Sequence, residues 1–281
     1  MIQYTSSLIK AHLTFLKDTF GENVHFSPDV LKIYSSDGRL LSGEPHAVFQ
    51  PVDAAQVQKF LAWADRERIP VYPRGRGTSL SGGCIPDPPG IVVSTTGLNQ
   101  IFDISETDFT AVVGPGVSTA FFQQECANRG LFYPPDPSSA NASSIGGNVA
   151  TCAGGLRAVK YGVTRDYVLG CKLTIPGGKT LNLGRRCHKD VVGLDLTRLV
   201  VGSEGTLGII TELTLKLIPK PESTASVLVG YASLDAALES MAKVFAAGIL
   251  PAAVEFMNET VLEILRKTGN ANWDESIHSL L

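Results

Sequence analysis

The first segment with residues suited to chemistry is a glycine-rich run at residues 73–83, which reads PRGRGTSLSGG. Its glycines free the backbone to turn successive N–H groups toward one point, and its hydroxyl side chains add further donors. A loop of this kind binds anions, and a pyrophosphate fits it well. The Rossmann fingerprint is not matched, because a third glycine is missing at the required spacing and no apolar helix follows. On this segment alone, a glycine-rich surface loop without a ligand remains the alternative.

A second segment, residues 134–155, is composed almost entirely of small residues. It opens with the rigid run PPDPSS and ends with SSIGGNVATCAGG. Small side chains let a backbone approach a flat ligand closely, and Asn148 and the serines can bond to the polar edges of that ligand. A third cluster, VGSEGTLGIIT at residues 201–211, directly precedes a predicted strand. The three segments together predict a site for a flat ligand that carries phosphate.

Other chemistries find little support in the residues. The run GGKT at residues 177–180 lacks the first glycine of a phosphate-binding P-loop, because Leu173 stands in its place. The histidines are isolated, so no pair of metal ligands is predicted. The five cysteines form no CxxC pair, so neither a disulfide framework nor a zinc ribbon is indicated. Cys84 and Cys152 lie in or beside the glycine-rich segments, where we interpret them as small packed residues.

The composition is that of a folded protein without a general affinity for nucleic acid. Hydrophobic residues make up 44% of the 281 residues and charged residues 18%, which argues against disorder. The formal net charge of -3 argues against a concentrated basic face, although a local basic patch around residues 185–189 stays open. We find no signal peptide and no run of about 18 apolar residues, and the scattered thiols favour a reducing compartment. We therefore expect a cytoplasmic protein, with peripheral attachment to a membrane left open.

Hydrophobic periodicity predicts that helices and strands alternate along the chain. Helices are expected at residues 8–20, 53–64, 118–128 and 234–247, and strands at residues 47–51, 69–72, 91–94, 101–104, 111–114, 169–175, 180–183, 207–217, 226–230 and 253–257. Asp53 and Gln56 resemble a capping box, in which each side chain bonds a free backbone N–H. The run PGGK at residues 176–179 predicts a hairpin turn.

Two prolines around Lys220 predict a domain boundary. We expect one domain at residues 1–220 and the beginning of a second at residues 221–281. About sixty residues are too few to bury an independent core comfortably. The sequence is therefore expected to be a fragment or an unusually short member of its family.

The three segments, in this order and spacing, resemble the FAD-binding proteins of the vanillyl-alcohol-oxidase type. Within that group the sequence is similar to the family of the glycolate oxidase FAD subunit and the D-lactate dehydrogenases. The resemblance extends over roughly residues 29–281, and the combination of motifs is highly specific. It implies an α+β fold in which FAD lies extended between the two subdomains of an FAD-binding domain. The start of an α+β substrate domain, or cap, would follow it.

The resemblance also implies which residues contact FAD. The first loop would bind FAD around its pyrophosphate through Pro73, Arg74, Gly75, Arg76, Gly77, Thr78, Ser79 and Gly82. The second segment would line the dinucleotide and the flavin through Pro135, Asp136, Ser138, Ser144, Gly147, Asn148 and Gly154. The third would contact the ribityl chain, the adenine side or the ring edge through Glu204, Gly208 and Ile209. Some relatives bind FAD covalently through a histidine in the first loop, but Thr78 and Ser79 occupy this stretch here, so we expect non-covalent FAD.

By the same resemblance, the expected reaction is FAD-dependent oxidation of a small 2-hydroxy acid such as D-lactate or glycolate. Hydride would pass from the α-carbon to flavin N5 while a base takes the hydroxyl proton. In full-length relatives the base and a histidine-rich metal site belong to the C-terminal domain, so no catalytic residue or metal ligand is assigned here. Electrons would leave to a quinone, an electron-transfer flavoprotein, an iron–sulfur subunit or oxygen. The alternatives are a non-catalytic FAD-carrying electron-transfer subunit of a multi-protein complex and an enzyme that oxidises an aldehyde or a sugar alcohol.

Overall fold

The computed structural model describes residues 10–269, 273–274 and 276–281, so the first two residues of the helix predicted at residues 8–20 lie outside the described part. The helices are α1 (Lys10–Phe20), α2 (Pro28–Tyr34), α3 (Ala54–Arg66), α4 (Thr119–Ala127), α5 (Ile145–Thr151), α6 (Ala158–Tyr161), α7 (Leu196–Val200), α8 (Leu234–Ala246) and α9 (Glu259–Lys267). The strands are β1 (Val24–His25), β2 (Pro45–Phe49), β3 (Val71–Arg74), β4 (Gly90–Ser94), β5 (Ile101–Ser105), β6 (Thr110–Val113), β7 (Leu131–Phe132), β8 (Val168–Thr174), β9 (Thr180–Gly184), β10 (Ile209–Lys216), β11 (Ile218–Pro219), β12 (Gly230–Tyr231) and β13 (Ser279–Leu280). This mixture of helices and strands confirms the predicted α+β class.

The first sheet positions the first glycine-rich segment. Its strand order is β1-β2-β4-β3, and β2, β4 and β3 run parallel. Helix α3 connects β2 to β3 and buries the face predicted from its apolar spacing, with the Phe60 ring stacked on the Phe49 ring at 4.6 Å between centroids. Strand β3 lies at the edge of the sheet, where a proline such as Pro73 costs no ladder hydrogen bond. It ends at Arg74, so the glycines follow directly from the edge of the sheet.

The start of helix α3 shows half of the predicted capping box. Asp53 Oδ1 accepts a hydrogen bond from the Gln56 N–H at 2.8 Å, as expected. The Gln56 side chain, however, does not reach back to the N–H of Asp53. Its Oε1 accepts from the Val52 N–H at 3.1 Å and from Asn23 Nδ2 at 3.2 Å, which ties the helix to the segment before β1.

Replacing Asp53 with alanine is expected to lower the free energy of unfolding by about 1 kcal/mol, because the first turn of α3 loses its side-chain acceptor. Asp53→Asn keeps an acceptor oxygen at the same place and should cost only a few tenths of that. Urea denaturation of both variants measures the difference. Equal losses in the two variants would show that the charge, and not the cap, stabilises this helix.

The second sheet is antiparallel and carries the larger core. Its strand order is β5-β6-β10-β8-β9. Leu213 and Leu215 of β10 are fully buried in one cluster with Phe122 and Tyr133. The hairpin turn predicted between β8 and β9 is confirmed, and both of its glycines have positive φ, 83° and 81°, which explains why this turn needs glycine.

The residues after β11 differ most from the sequence-based expectations. Helix α8 is confirmed, and it ends before Gly248, whose φ is 76°. The strand predicted at residues 226–230 is reduced to β12, and the strand predicted at residues 253–257 is reduced to one bridge between Met257 and Leu280. Strand β13 offers only two residues for pairing, so neither segment forms a longer ladder with it. In the part of the chain that the structure describes, no helix is long and apolar enough to cross a membrane.

Two cysteines in the core are expected to be chemically inert. Burial raises the pKa of the Cys126 and Cys171 thiols to about 12 each. Because the thiolate is the reactive form, neither should be modified by a disulfide reagent at pH of about 8 while the protein is folded. The half-exposed Cys187 should react. Peptide mass spectrometry before and after unfolding checks this, and labelling of Cys126 in the folded protein as fast as Cys187 would contradict it.

Candidate functional site

The fold brings the three glycine-rich segments to one cavity of about 210 Å³, where the loop after β3 meets helix α5. The cavity is lined by Pro73, Gly75, Arg76, Gly77, Thr78, Ser79, Ser81, Gly83, Cys84, Ser139, Ser144, Gly147, Asn148, Ala150, Thr151, Ala153 and Glu204. A smaller cavity of about 50 Å³ adjoins it and shares with it Pro73, Gly75, Gly147, Ala150 and Glu204. Segments far apart in the sequence therefore form one continuous wall.

The first loop leaves β3 with a run of unused backbone donors. Within the described part of the chain, the N–H groups of residues 75–79 donate no hydrogen bond. Gly77 has a φ of 71°, which glycine adopts without steric cost. Arg76 is exposed beside the same cavity and adds a positive charge. Unpaired N–H groups that follow one another along a loop form a site for an anion.

The second segment forms a short helix, α5, that the sequence did not predict. Ser144 precedes it in an extended conformation, and Cys152 ends it with a left-handed φ of 49°. The run IGGNVAT carries two glycines and few apolar side chains, so its pattern resembles a loop. The sequence feature that could have indicated a helix is the pair Ile145 and Val149 at i, i+4, and both side chains are fully buried.

Glycines let the first loop and helix α5 touch. A Cβ atom on Gly75 would lie 2.7 Å from Ser144 Oγ and 3.3 Å from the Cα atom of Gly147. Behind the helix, a Cβ atom on Gly146 would lie 2.4 Å from the Cβ atom of Pro115. The small residues of both segments are therefore needed for backbone-to-backbone approach, and side chains would separate the walls of the cavity.

The polar side chains of the second segment divide into paired and unpaired groups. Asn148 Nδ2 donates to Thr119 Oγ1 at 2.8 Å, and Thr119 Oγ1 lies 2.8 Å from Ser143 Oγ, so these groups fix α5 against the start of α4. Ser144 Oγ is also buried, but it has no hydrogen-bond partner among the described residues. It lines the cavity, where an unpaired buried hydroxyl is suited to the polar group of a ligand.

The third segment joins the other two. Glu204 Oε2 accepts a hydrogen bond from Ser81 Oγ at 2.8 Å, which links it to the first loop. The Glu204 N–H donates to the Ala150 carbonyl at 2.8 Å, which links it to α5. Gly208 and Ile209 follow at the start of β10 and line the smaller cavity. Glu204 thus joins the two walls, through its carboxylate on one side and its backbone N–H on the other.

The structure places most of the residues predicted from the sequence around the two cavities. The main cavity has Pro73, Gly75, Arg76, Gly77, Thr78, Ser79, Ser144, Gly147, Asn148 and Glu204, and the smaller cavity adds Arg74, Gly208 and Ile209. Gly82, Pro135, Asp136, Ser138 and Gly154 line neither cavity. The lining residues of the main cavity that were missed are Ser81, Gly83, Cys84, Ser139, Ala150, Thr151 and Ala153, and those of the smaller cavity alone are Thr95, Pro115, Gly146, Ser203, Gly205 and Ile210. Two of them, Ala150 and Thr151, follow Gly147 at i+3 and i+4, so a helical interpretation of this segment would have found them.

Residues of the second segment that lie outside the cavities make contacts that shape it. Asp136 Oδ2 lies 3.4 Å from Arg157 Nε, and the guanidinium of Arg157 lies over the Phe132 ring at 5.1 Å. A Cβ atom on Gly155 would lie 1.8 Å from the carbonyl oxygen of Asp136. The Pro135 carbonyl accepts from Gln123 Nε2 at 2.8 Å. These contacts hold the entry of the segment against its end.

The cavity fits a ligand that carries a pyrophosphate and a flat body. The free N–H groups of residues 75–79 and the unpaired Ser144 hydroxyl supply donors for phosphate oxygens. The contact between Gly75 and Gly147 leaves bare backbone where a flat ring system can approach. Among the described residues, no group of three His, Cys, Asp or Glu side chains is placed to hold a metal ion.

Comparison with protein families agrees with this geometry. Residues 45–184 match the family described as FAD binding domain, and residues 220–281 match the family described as FAD linked oxidases, C-terminal domain. The chain belongs to the FAD-linked oxidases. The cofactor is therefore FAD, and the resemblance drawn from the three motifs is confirmed. Every cavity-lining residue from Pro73 to Ala153 falls inside the first matched range.

The chain is similar in sequence to several curated proteins. It is 45% identical over 237 residues to the glycolate oxidase subunit GlcD of Bacillus subtilis. The aligned region covers 84% of this chain and 50% of that protein. It is 38% identical over 240 residues to a D-lactate dehydrogenase of Anaerostipes hadrus, and this alignment covers 85% of this chain and 49% of that protein. The glycolate oxidase subunit GlcD of Escherichia coli is 38% identical over 261 residues, and this alignment covers 92% of this chain and 52% of that protein. The chain spans about half the length of the curated relatives it matches.

The fold of the chain is shared by solved structures. An alkyldihydroxyacetonephosphate synthase superimposes with a TM-score of 0.84 over 100% of this chain and 56% of that chain. The two sequences are 18% identical, so the likeness concerns the fold alone. It supports the FAD-binding architecture of the vanillyl-alcohol-oxidase type that the motifs implied.

Proposed function

We propose that this FAD-linked oxidase oxidises a small 2-hydroxy acid of the D-lactate or glycolate type. The observation that carries the proposal is the row of free N–H groups along the cavity, which is suited to the pyrophosphate of FAD. The substrate class is supported by the similarity to relatives named glycolate oxidase subunit and D-lactate dehydrogenase. When bound, FAD supplies the acceptor for a hydride that leaves the α-carbon of the substrate.

The chain's own residues hold the cofactor in this proposal. The unpaired N–H groups of residues 75–79 would donate to the pyrophosphate oxygens, and the unpaired Ser144 Oγ would donate a further hydrogen bond from α5. Gly75 and Gly147 keep side chains out of the space that the cofactor occupies. Glu204, whose carboxylate bonds to Ser81 and whose N–H bonds to the Ala150 carbonyl, keeps the two walls together.

We propose that FAD is bound without a covalent bond. Thr78 and Ser79 stand in the first loop, and neither is a nucleophile toward the flavin ring at neutral pH. The described lining of the main cavity contains no histidine. Denaturing the purified protein with acid should release the flavin into the supernatant. Flavin that stays with the precipitated protein would contradict this proposal.

Anaerobic titration of the full-length flavoprotein tests the substrate class. D-lactate, L-lactate and glycolate are added separately, and loss of the flavin absorbance is followed. We expect bleaching by glycolate or by one lactate enantiomer at a stoichiometry of about one hydride per flavin. No bleaching by any 2-hydroxy acid would refute the substrate class and leave FAD binding untouched.

We further propose that the electrons pass to a partner subunit. Two of the relatives are named as subunits of a glycolate oxidase, which supports this route over direct transfer to oxygen. The proposed division into an FAD-binding domain at residues 1–220 and a substrate domain from residue 221 is supported by the second family match, which begins at residue 220. Reoxidation of the reduced protein by air as fast as by a quinone or a partner subunit would contradict a dedicated partner.

A further inference from the structure

Residues 34–38, here called the supporting segment, pack against the first glycine-rich loop. The segment begins at Tyr34, the last residue of helix α2, and reads YSSDG. It precedes residue 45, where the match to the FAD-binding family begins, and none of its residues lines either cavity of the site. It therefore contacts the loop from outside the space proposed for FAD.

Three hydrogen bonds join the supporting segment to the start, the middle and the end of the loop. Arg74 Nη1 donates to the Ser36 carbonyl at 2.6 Å. The Gly38 N–H donates to the Ser79 carbonyl at 3.1 Å. The Gly82 N–H donates to Asp37 Oδ2 at 3.1 Å. A loop of four glycines has many accessible conformations, and contacts distributed along its length reduce them.

Asp37 is the charged centre of the supporting segment. Its side chain is buried, with 5% of the residue surface exposed, although it is a carboxylate in a polar run. One oxygen accepts from the Gly82 N–H, and the other accepts from the Arg39 N–H at 2.9 Å. Hydrogen bonds to an ionised acceptor are stronger than neutral ones, so this residue fixes the far end of the loop firmly.

Arg74 lies beneath the middle of the loop. Its guanidinium is buried, and it lies over the ring of Tyr34 at 5.3 Å. A Cβ atom on Gly77 would lie 2.1 Å from Nη2 and 2.3 Å from Cζ, so the loop backbone rests directly on the guanidinium. The sequence had suggested that this arginine holds the pyrophosphate, but its charged end bonds to the Ser36 carbonyl.

We propose that the supporting segment, with Asp37 as its charged centre, positions the first loop for FAD from outside both cavities, in part by holding the Arg74 guanidinium beneath the loop. The proposal rests on the assignment of the loop N–H groups to the FAD pyrophosphate. Because residues 75–79 have no hydrogen bonds of their own from their N–H groups, the direction of those groups is set by what lies beneath the loop. A site built in this way binds its ligand without first ordering the loop, which raises affinity.

The test compares Asp37→Ala with Asp29→Ala in the full-length protein. Asp29 is an exposed carboxylate in the first turn of α2, so its removal changes the charge equally but leaves the loop alone. The apoproteins are titrated with FAD, at a temperature where thermal scans show that both are folded. We expect Asp37→Ala to raise the Kd for FAD by about tenfold or more, because hydrogen bonds to a charged group are lost. Asp29→Ala should leave the Kd unchanged.

A loss of global stability in Asp37→Ala cannot produce the expected rise in the Kd for FAD. A folded fraction near unity makes the Kd insensitive to the unfolding equilibrium, so a tenfold rise reports the geometry of the loop. If Asp37→Ala does not fold, Gly38→Ala replaces it, since a Cβ atom there would lie 2.9 Å from the Thr78 carbonyl oxygen and displace the loop without removing charge. A smaller rise than tenfold in the variant that folds would overturn the proposal.

A second variant separates the test of the supporting segment from the test of where FAD binds. Gly147→Leu blocks the cavity and tests whether FAD lies there. Loss of FAD in Gly147→Leu with unchanged affinity in Asp37→Ala would refute the supporting role alone. Retention of FAD by Gly147→Leu would instead refute the placement of the cofactor. The turnover number at saturating FAD should be the same in Asp29→Ala and wild type, because Asp29 lines neither cavity of the site.

Discussion

Replacing Gly147 with leucine is expected to abolish flavin retention while the protein stays folded. Gly147 lines the main cavity from helix α5, and a Cβ atom there would lie 3.3 Å from Ser144 Oγ and 4.0 Å from the Cα atom of Gly75. The first carbon of a side chain therefore requires the Ser144 hydroxyl to move by only a few tenths of an ångström. The remaining carbons of leucine would occupy the space between the two loops. We expect the Kd for FAD to rise at least about 100-fold, equivalent to ~2.7 kcal/mol.

Flavin absorbance after gel filtration measures this loss, and circular dichroism reports the fold. Gly147→Ala is the matched control, because it adds only the first carbon and leaves most of the cavity open. It should retain FAD with a smaller loss of affinity. The stability of the Gly147→Leu apoprotein should not fall, since leucine favours a helix over glycine by about 1 kcal/mol. A leucine variant as yellow as wild type would place FAD elsewhere.

Gly155→Ala is expected to be the most destabilising single methyl addition in the second segment. The new Cβ atom would lie 1.8 Å from the Asp136 carbonyl oxygen and 2.4 Å from its carbonyl carbon. Both are backbone atoms, so no side-chain rotation relieves the overlap, and residues 134–137 must move. Overpacking of this kind costs about 3 kcal/mol in the free energy of unfolding.

The neighbouring glycine gives the control for this effect. A Cβ atom on Gly154 would lie 3.6 Å from Val163 Cγ1, which is an ordinary contact. Gly154→Ala should therefore change the free energy of unfolding by less than about 1 kcal/mol. Chemical denaturation of the two apoproteins measures the contrast. Similar losses in both variants would show that chain flexibility, and not the contact with Asp136, requires glycine here.

The elements that the sequence predicted correctly are those with a strong local pattern. Helix α3 has apolar residues at helical spacing after a capping aspartate, and helix α8 has the same spacing before Gly248. The hairpin between β8 and β9 needs two glycines with positive φ, and the run PGGK supplies them. Local chemistry determines these features, so a single sequence is enough to predict them.

The features that were missed depend on contacts between distant segments. Helix α5 has little helical pattern of its own and is fixed by burial of Ile145 and Val149. The contact between Gly75 and Gly147 joins two segments that no local rule relates. Asp37 looks like a turn residue in its polar run, and only the fold shows its bond to Gly82. Tertiary packing decides all three, which is why motif reasoning found the loops but not what holds them.

The link that Glu204 makes between the first loop and α5 has a consequence for the lifetime of the protein. The loop belongs to the first sheet and the helix packs on the second, so one ligand between them joins both halves of the FAD-binding domain. A ligand that binds only the folded state adds about 2.7 kcal/mol of stability when it is present at 100 times its Kd. The apoprotein should unfold and be digested sooner than the flavoprotein. The amount of this protein in a cell is then expected to follow the supply of riboflavin.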